Sequence, residues 1–223
     1  MKPLQILDFD SYRMHDSVVV RRVLAGEKEL FEILLRRYNQ KLYRVIRSYL
    51  KDNGDVEDAM QDTYLKAFDK LQQFEGNAAF STWLIRIGIN EALLRLRRLK
   101  KERSLYAVDD TLTEARLIQL PDNKQMNPEK LAIRHETKIL IEQAIDQLPE
   151  KYRVIYVLKE VEGMDNSQIA ELLQLSDANV KVRLHRAKTL LKDVLYKLSA
   201  DSTIFEFGNQ RCDAIVARVM KRL

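Results

Sequence analysis

The sequence predicts an all-α protein of two small helical domains joined by a flexible linker. Three observations predict it. Glycine and proline are scarce, six and four in 223 residues, where average usage is about 7% and 5%; sandwiches and barrels need many more turn residues. Apolar residues recur at three- and four-residue steps over two long blocks, the period of helices with one buried face. Between the blocks, from about 100 to 135, the period is lost and Asp109-Asp110, Pro121-Asp122-Asn123 and Asn127-Pro128 intervene, a composition that reads as linker.

Each element follows from its pattern. Residues 16–50 read as two helices, the second carrying Phe31, Leu34, Leu35, Tyr38, Leu42, Val45, Ile46 and Tyr49 on one stripe. Lys51-Asp52-Asn53-Gly54 stops it, with Gly54 suited to a left-handed cap. A third helix starts near Asp55, with acids in its first turn where the helix dipole favours them. It carries Val56, Ala59, Met60, Tyr64, Ala67, Phe68 and Leu71. Phe74 to Ala79 is a short break, and a fourth helix begins near Ser81 and runs into a basic stretch. The linker, with a short helix expected at 113–118, reaches roughly 120 Å if its 35 or so residues are fully extended, enough to hold two modules far apart. The second module starts near Pro128, with Ile139, Leu140, Ala144, Ile145 and Leu148 on one stripe. Pro149 breaks it and is suited to open the next helix, which carries Val154, Ile155, Val157, Leu158 and Val161 and ends at Gly163.

Composition removes several classes of function. The glycines form no phosphate-cradling loop. One cysteine excludes an intrachain disulfide and a cysteine-based metal site. The longest run without Asp, Glu, Lys or Arg is Gly76 to Ile85, too short for a membrane span. Asp8, Asp10, Arg13 and Asp16 fit no signal peptide, so a cytoplasmic protein without membrane insertion is expected. His15, His135 and His185 are scattered and sit in no nucleophile or metal motif; the chain is expected to be no enzyme and to need no cofactor.

Charge is segregated. The net charge is +5, but Asp52 to Asp62 holds five acids and no base, Arg95 to Arg103 six bases and one acid, and Ser176 to Lys192 five bases and one acid. One acidic face for a basic partner and two basic faces for a polyanion follow. The second basic face has an internal grammar. Asp165-Asn166-Ser167-Gln168 fits a capping box, Ile169 to Leu173 makes about two turns, Gln174-Leu175 is the turn, and Ser176 caps a longer helix to about Leu198. This is a helix-turn-helix. Val180, Leu184, Ala187 and Leu191 form its inward stripe. Lys181, Val182, His185 and Arg186 face mainly outward, where Arg and Lys can donate to guanine and Val182 can touch a thymine methyl.

At this point the chain resembles a sigma-70 family sigma factor of the extracytoplasmic-function (ECF) group. One block is Asp55-Val56-Glu57-Asp58-Ala59-Met60-Gln61-Asp62 with the run from Phe74 to Asn90 (Phe-Glu-Gly-Asn-Ala-Ala-Phe-Ser-Thr-Trp-Leu-Ile-Arg-Ile-Gly-Ile-Asn), similar to the group's region 2. The other is Leu148-Pro149-Glu150-Lys151-Tyr152-Arg153 with Lys181 to Lys188, similar to region 4. The resemblance implies region 2 over 15–100, a linker over 101–134, region 4 over 135–198 and a C-terminal extension over 199–223. It implies a subunit that binds the RNA polymerase core, through a coiled coil of the largest subunit and the flap of the second. Region 2 would read and melt the −10 promoter element, and region 4 would read the −35 element as duplex. Gln174 stands where the family often has Gly, Ala178-Asn179 where Gly-Thr is usual, and Val182 where a polar residue is frequent.

The residues expected to act follow. Asp55, Glu57, Asp58, Gln61 and Asp62 bind the core, with Asp55, Asp58 and Asp62 on one helix face. Glu75, Asn77, Phe80, Trp83, Arg86, Asn90, Arg95, Arg97 and Arg98 contact the −10 DNA, the aromatics by stacking and the arginines through phosphates. Tyr64 and Phe68 are expected in the core. Lys181, Val182, Arg183, His185, Arg186 and Lys188 contact the −35 duplex. In the extension, Phe205, Phe207 and the stripe Cys212, Ile215, Val216, Val219 and Leu223 need a surface: the chain's own domains, the polymerase or an anti-sigma factor. A different class of function remains as the alternative, a stand-alone helix-turn-helix regulator whose first 100 residues dimerise or sense.

Overall fold

The protein is described by a computed structural model over residues 13–105, 128–199 and Met220. Among the described residues there are eight α-helices: α1 Asp16–Leu24, α2 Phe31–Arg47, α3 Asn53–Asp69, α4 Phe80–Leu105, α5 Pro128–Asp146, α6 Glu150–Tyr156, α7 Asn166–Leu173 and α8 Asp177–Ser199. The expected short helix at 113–118 and the stripe around Cys212 lie outside the described residues.

Several boundaries differ from expectation for local reasons. Gly54 caps nothing: it lies in the first turn of α3, and the Asp52 side chain is the N-cap, accepting from the Asp55 amide at 3.0 Å. A carboxylate at that position satisfies an amide that the helix itself cannot. Helix α4 continues to Leu105, into the stretch read as linker, whereas α5 starts at Pro128 as the second module was expected to. Residues 100–105 are good helix formers without a breaker, but their lack of apolar period hid the helix. Pro149 is the N-cap of α6 rather than its first residue. After Tyr156 the chain widens into a π-helical segment, Val157–Val161, whose bond from the Glu162 amide to the Val157 carbonyl is 3.0 Å. Gly163 then ends it at φ +68°. Val161, counted with the apolar set, is exposed.

Three apolar clusters hold the helices. One ties α1 to α2, α3 and the start of α4 through Val19, Val23, Ile33, Leu34, Ala67, Phe80 and Leu84. A small one joins α5 to α8 through Ala144, Leu148 and Leu191. The largest crosses between the two halves of the chain: Leu42, Ile46, Val56, Ile85 and Ile89 share it with Ile155, Leu158, Ile169 and Val180. Each such side chain contributes about 1.5–3 kcal/mol on burial. Helices α2 and α4 approach so closely that a Cβ on Gly88 would lie 2.6 Å from Leu42 Cδ1. The linker had made wide separation possible; in this structure the two helical sets pack together instead.

Polar contacts line the same boundary. Arg153 is buried, and its Nε donates to the Ser48 carbonyl at 2.7 Å while Nη1 donates to the Asp146 and Leu148 carbonyls at 3.1 and 3.3 Å. Burial pulls its pKa below the ordinary value, opposed by nearby Asp146. Arg47 forms a two-point pair with Asp146, one contact at 3.0 Å, and Arg44 reaches Glu162 at 3.2 Å.

Candidate nucleic-acid interface

The helix-turn-helix forms as its sequence dictates. The capping box is present, with the Asp165 amide donating to Gln168 Oε1 at 3.1 Å. Helix α7 ends at Gln174 in the left-handed region, φ 55° and ψ 47°. Gln174 is the one non-glycine with positive φ among the described residues. The Leu175 amide closes the turn on the Ala170 carbonyl at 2.8 Å, and Ser176 Oγ accepts from the Asn179 amide at 3.2 Å. Glycine's place in the turn is thus filled without rebuilding it, at the steric cost of a Cβ in that conformation.

On α8 burial separates two faces. Val180, Ala187 and Leu191 are buried and Leu184 half-buried, whereas Lys181, His185 and Arg186 are exposed and Val182 is 51% exposed. Arg183 is half-buried. Two of the basic residues already have partners. Lys188 pairs with Glu160 at 2.8 Å. Arg186 bonds the Tyr152 hydroxyl and holds its pKa below the ordinary value.

On α3, Glu57, Asp58, Gln61 and Asp62 are exposed. Asp55 is not free: Arg95 of α4 donates to it at 2.8 Å and to Asp58 at 2.7 Å. These bonds raise the Arg95 pKa, the one to Asp55 first. The sequence-expected acid row and basic run are therefore tied together at this point. Sequence reasoning missed Leu65, which is 59% exposed on the same helix. Leu65 falls off the buried stripe by one position, and that is the signal that exposes it.

The break between α3 and α4 is built on rings. Phe74, Phe80 and Trp83 meet with centroids 5.4–5.6 Å apart, and Tyr38 lies 5.8 Å from Phe80. Phe80 is 2% exposed. It was expected to stack on DNA; the structure places it in the core, because Tyr38, Phe74 and Trp83 enclose it. Trp83 keeps partial exposure. Tyr64 and Phe68 pack inward as expected, Phe68 edge-on to Phe31 at 5.2 Å. Glu75 and Asn77 stay exposed and bond each other at 2.9 Å, around Gly76 at φ +77°. Farther along α4, Asn90, Arg97 and Arg98 are exposed, and Arg86 pairs with Glu171 of α7 at 2.6 Å.

A capped helix-turn-helix with a basic outer face, packed on a helical module that carries an acid row and an arginine-rich helix, defines a DNA-binding transcription protein. Comparison with known proteins makes this specific. Residues 34–102 match the family Sigma-70 region 2, and residues 138–191 match Sigma-70, region 4. The chain is 32% identical over 187 residues to the RNA polymerase sigma-H factor of Pseudomonas aeruginosa, covering 82% of this chain and 95% of that protein. It is 30% identical over 190 residues to the ECF RNA polymerase sigma-E factor of Escherichia coli, covering 84% and 98%. The fold is similar to that of the sigma factor RpoE from Bartonella quintana, solved with the anti-sigma factor NepR, at TM-score 0.60 and 22% identity over 77% of this chain and 98% of that one. It is likewise similar to CnrH, solved with the cytosolic domain of CnrY, at TM-score 0.54 and 24% identity over 81% and 96%. The chain belongs to the sigma-70 family, in its ECF group: it is an RNA polymerase sigma factor. The region 2 match sets aside the stand-alone regulator. Among the described residues, no helix is long and apolar enough to cross a membrane.

Proposed function

We propose that the exposed face of α8 reads the −35 element in the major groove. Lys181 and Arg186 donate to base edges, Val182 and His185 lie between them, and Arg183 and Lys188 bind phosphates. The observation that carries this is the division of α8 by burial: the Val180 and Ala187 face is fully buried and the Lys181, Val182, His185 and Arg186 face is not. Glu75 and Asn77 in the loop, with Trp83, Arg86, Asn90, Arg97 and Arg98 on α4, engage the −10 strand. Phe80 holds the loop from inside. Glu57, Asp58, Gln61, Asp62 and the exposed Leu65 dock the core polymerase; an apolar side chain among acids is suited to a basic partner with an apolar contact at its centre. Arg95 and Asp55 brace that face.

The test is reconstitution. Purified chain and core polymerase should form a stoichiometric complex that initiates from specific promoters, and the chain alone should catalyse nothing. Absence of a complex, or initiation that ignores promoter sequence, would overturn the reading.

A further inference from the structure

Among the described residues, the cluster that joins α5 to α8 is the least covered. Ala144, Leu148 and Leu191 are buried in it, while Ile145, Tyr156, Leu190, Val194, Leu195 and Leu198 around them are half-buried. On one side an open groove of about 480 Å³ runs between Tyr156 on α6 and Leu191, Leu195 and Tyr196 on α8. Sites that hold a bound group are commonly about 300–1,000 Å³. Tyr196 is 73% exposed, so the groove presents wetted apolar surface that docking would take out of water. Its rim carries lysines. Lys188 is paired with Glu160 at 2.8 Å, whereas Lys192 has no carboxylate partner among the described residues.

The chain carries a complement to this groove directly after it. Helix α8 ends at Ser199. The stretch Asp201-Ser202-Thr203-Ile204-Phe205-Glu206-Phe207 follows, with two acids, two rings and no base. It lies outside the described residues, and its reach fits. Leu195 and Leu191 lie about 6 and 12 Å along the α8 axis from Ser199, at about 1.5 Å per residue. A chain that turns back over 200–203 and then runs extended gains about 3.3 Å per residue. That brings Phe205 level with Leu195 and Phe207 level with Leu191. Two residues apart, the rings share one face of an extended chain and Glu206 takes the other. The apolar stripe farther on suits the groove less: Arg211, Arg218, Lys221 and Arg222 flank it, and like charges at a lysine rim oppose docking.

We infer that the segment 204–207 folds back along α8 and fills this groove. Phe205 and Phe207 enter between Tyr156, Leu191 and Leu195, and Glu206 lies over the rim at Lys192. The half-covered cluster of α5, α6 and α8 is then closed by the same chain. The groove is an intramolecular docking surface, and its occupant is the acidic, aromatic stretch that follows the helix-turn-helix.

The experiment uses the full chain. It has one cysteine, so Cys212→Ser combined with Lys192→Cys and Glu206→Cys leaves two thiols, one on the rim and one on the segment, and neither replaces an apolar residue. A disulfide needs Cα atoms about 4.4–6.8 Å apart. Docking holds the pair near that range, whereas a free tether only samples it. Mild oxidation should give an intrachain disulfide, read by peptide mass with and without reductant. Adding Phe205→Asp and Phe207→Asp should slow its formation at least tenfold. Adding Tyr196→Asp instead should do the same, from a 73% exposed position outside the buried core. Helical circular dichroism should persist in every form, so that slower closure reports undocking rather than unfolding. A pair that does not close leaves the groove to another occupant and overturns the inference. Disulfide-linked dimers put a second copy in the groove and overturn it too, as does closure at one rate in all variants, which is chance collision of a loose tether.

Discussion

The guanidinium of Arg95 reaches the Asp55 carboxylate at 2.8 Å. A residue of α4, proposed to face DNA, thereby braces the first turn of α3, proposed to face polymerase, and the two helices share a strut. Asp55 is largely covered, whereas Asp58, also bonded to Arg95, is more than half exposed.

The acids of α3 should therefore separate by role. Asp55→Ala should lower the melting temperature, since it removes the partner of Arg95; surface pairs give about 0–1 kcal/mol and a half-covered one sits at the upper end. Asp62→Lys should leave the melt unchanged and remove core binding. Thermal denaturation and co-purification with core polymerase are the two measurements. Equal melting losses for both variants would mean that Asp62 is structural.

The loop before α4 offers a second separation. Phe80→Ala should cost about 3–5 kcal/mol, as for a large ring removed from a packed core, and lose promoter activity only through loss of fold. Asn77→Ala should keep the melting temperature and lose −10 discrimination. Calorimetry beside transcription from promoters altered in the −10 element distinguishes them.

Much of this was legible in the sequence, and the exceptions share a cause. The capping box and the turn of the helix-turn-helix depend on neighbours within a few residues, which side-chain chemistry reports, and the inward facing of the α8 stripe, Tyr64 and Phe68 shows in helical period even though what covers them is distant. Sequence alone leaves Phe80 and Asp55 as surface groups because the partners that cover them, among them Tyr38 and Arg95, lie far off in sequence; Arg86 is exposed as expected, but its pairing with Glu171 is hidden for the same reason. The packing of Ile155 and Leu158 on Leu42 and Ile46 was hidden for the same reason: a buried stripe announces that it is covered, not by what.

Gln174 tests the turn. At φ 55° a side chain costs about 1–2 kcal/mol relative to the right-handed form, and glycine removes that cost while adding freedom to the unfolded chain. Gln174→Gly should raise stability by about 0.5–1 kcal/mol, a rise of roughly 1–4 °C for a chain of this size. A lowered melting temperature would mean that the Gln174 side chain makes a compensating contact.

On α8, Arg186→Ala and Lys181→Ala should each reduce −35-dependent transcription by about 1–3 kcal/mol per lost base contact. Arg183→Ala should weaken binding to all sequences alike. Lys188 is held by Glu160 at 2.8 Å, so Glu160→Gln should free it for phosphate and steepen the salt dependence of binding by up to about one unit of slope. Filter binding of holoenzyme across a salt series reads both effects. Unchanged promoter preference in both Arg186→Ala and Lys181→Ala would mean that α8 is turned otherwise in the groove.

Alkaline pH should loosen the helical packing around Tyr38. Burial, with the hydrogen bond to Asp16 adding to it, pushes the Tyr38 hydroxyl from 10.0 up to about 12. Tyr49 and Tyr64 are also pushed up, both chiefly by burial. A phenol whose folded pKa lies above its unfolded value keeps its proton more tightly when folded. The folded state is then favoured in full below pH 10, and that preference is lost as pH rises from 10.0 to about 12 for Tyr38. Urea midpoints should fall across that window, with phenolate absorbance rising alongside unfolding rather than before it. Tyr38→Phe should flatten the fall, since phenylalanine has no proton to lose. Phenolate absorbance that rises at the ordinary tyrosine pH while the helices stay intact would mean that these rings are open to solvent.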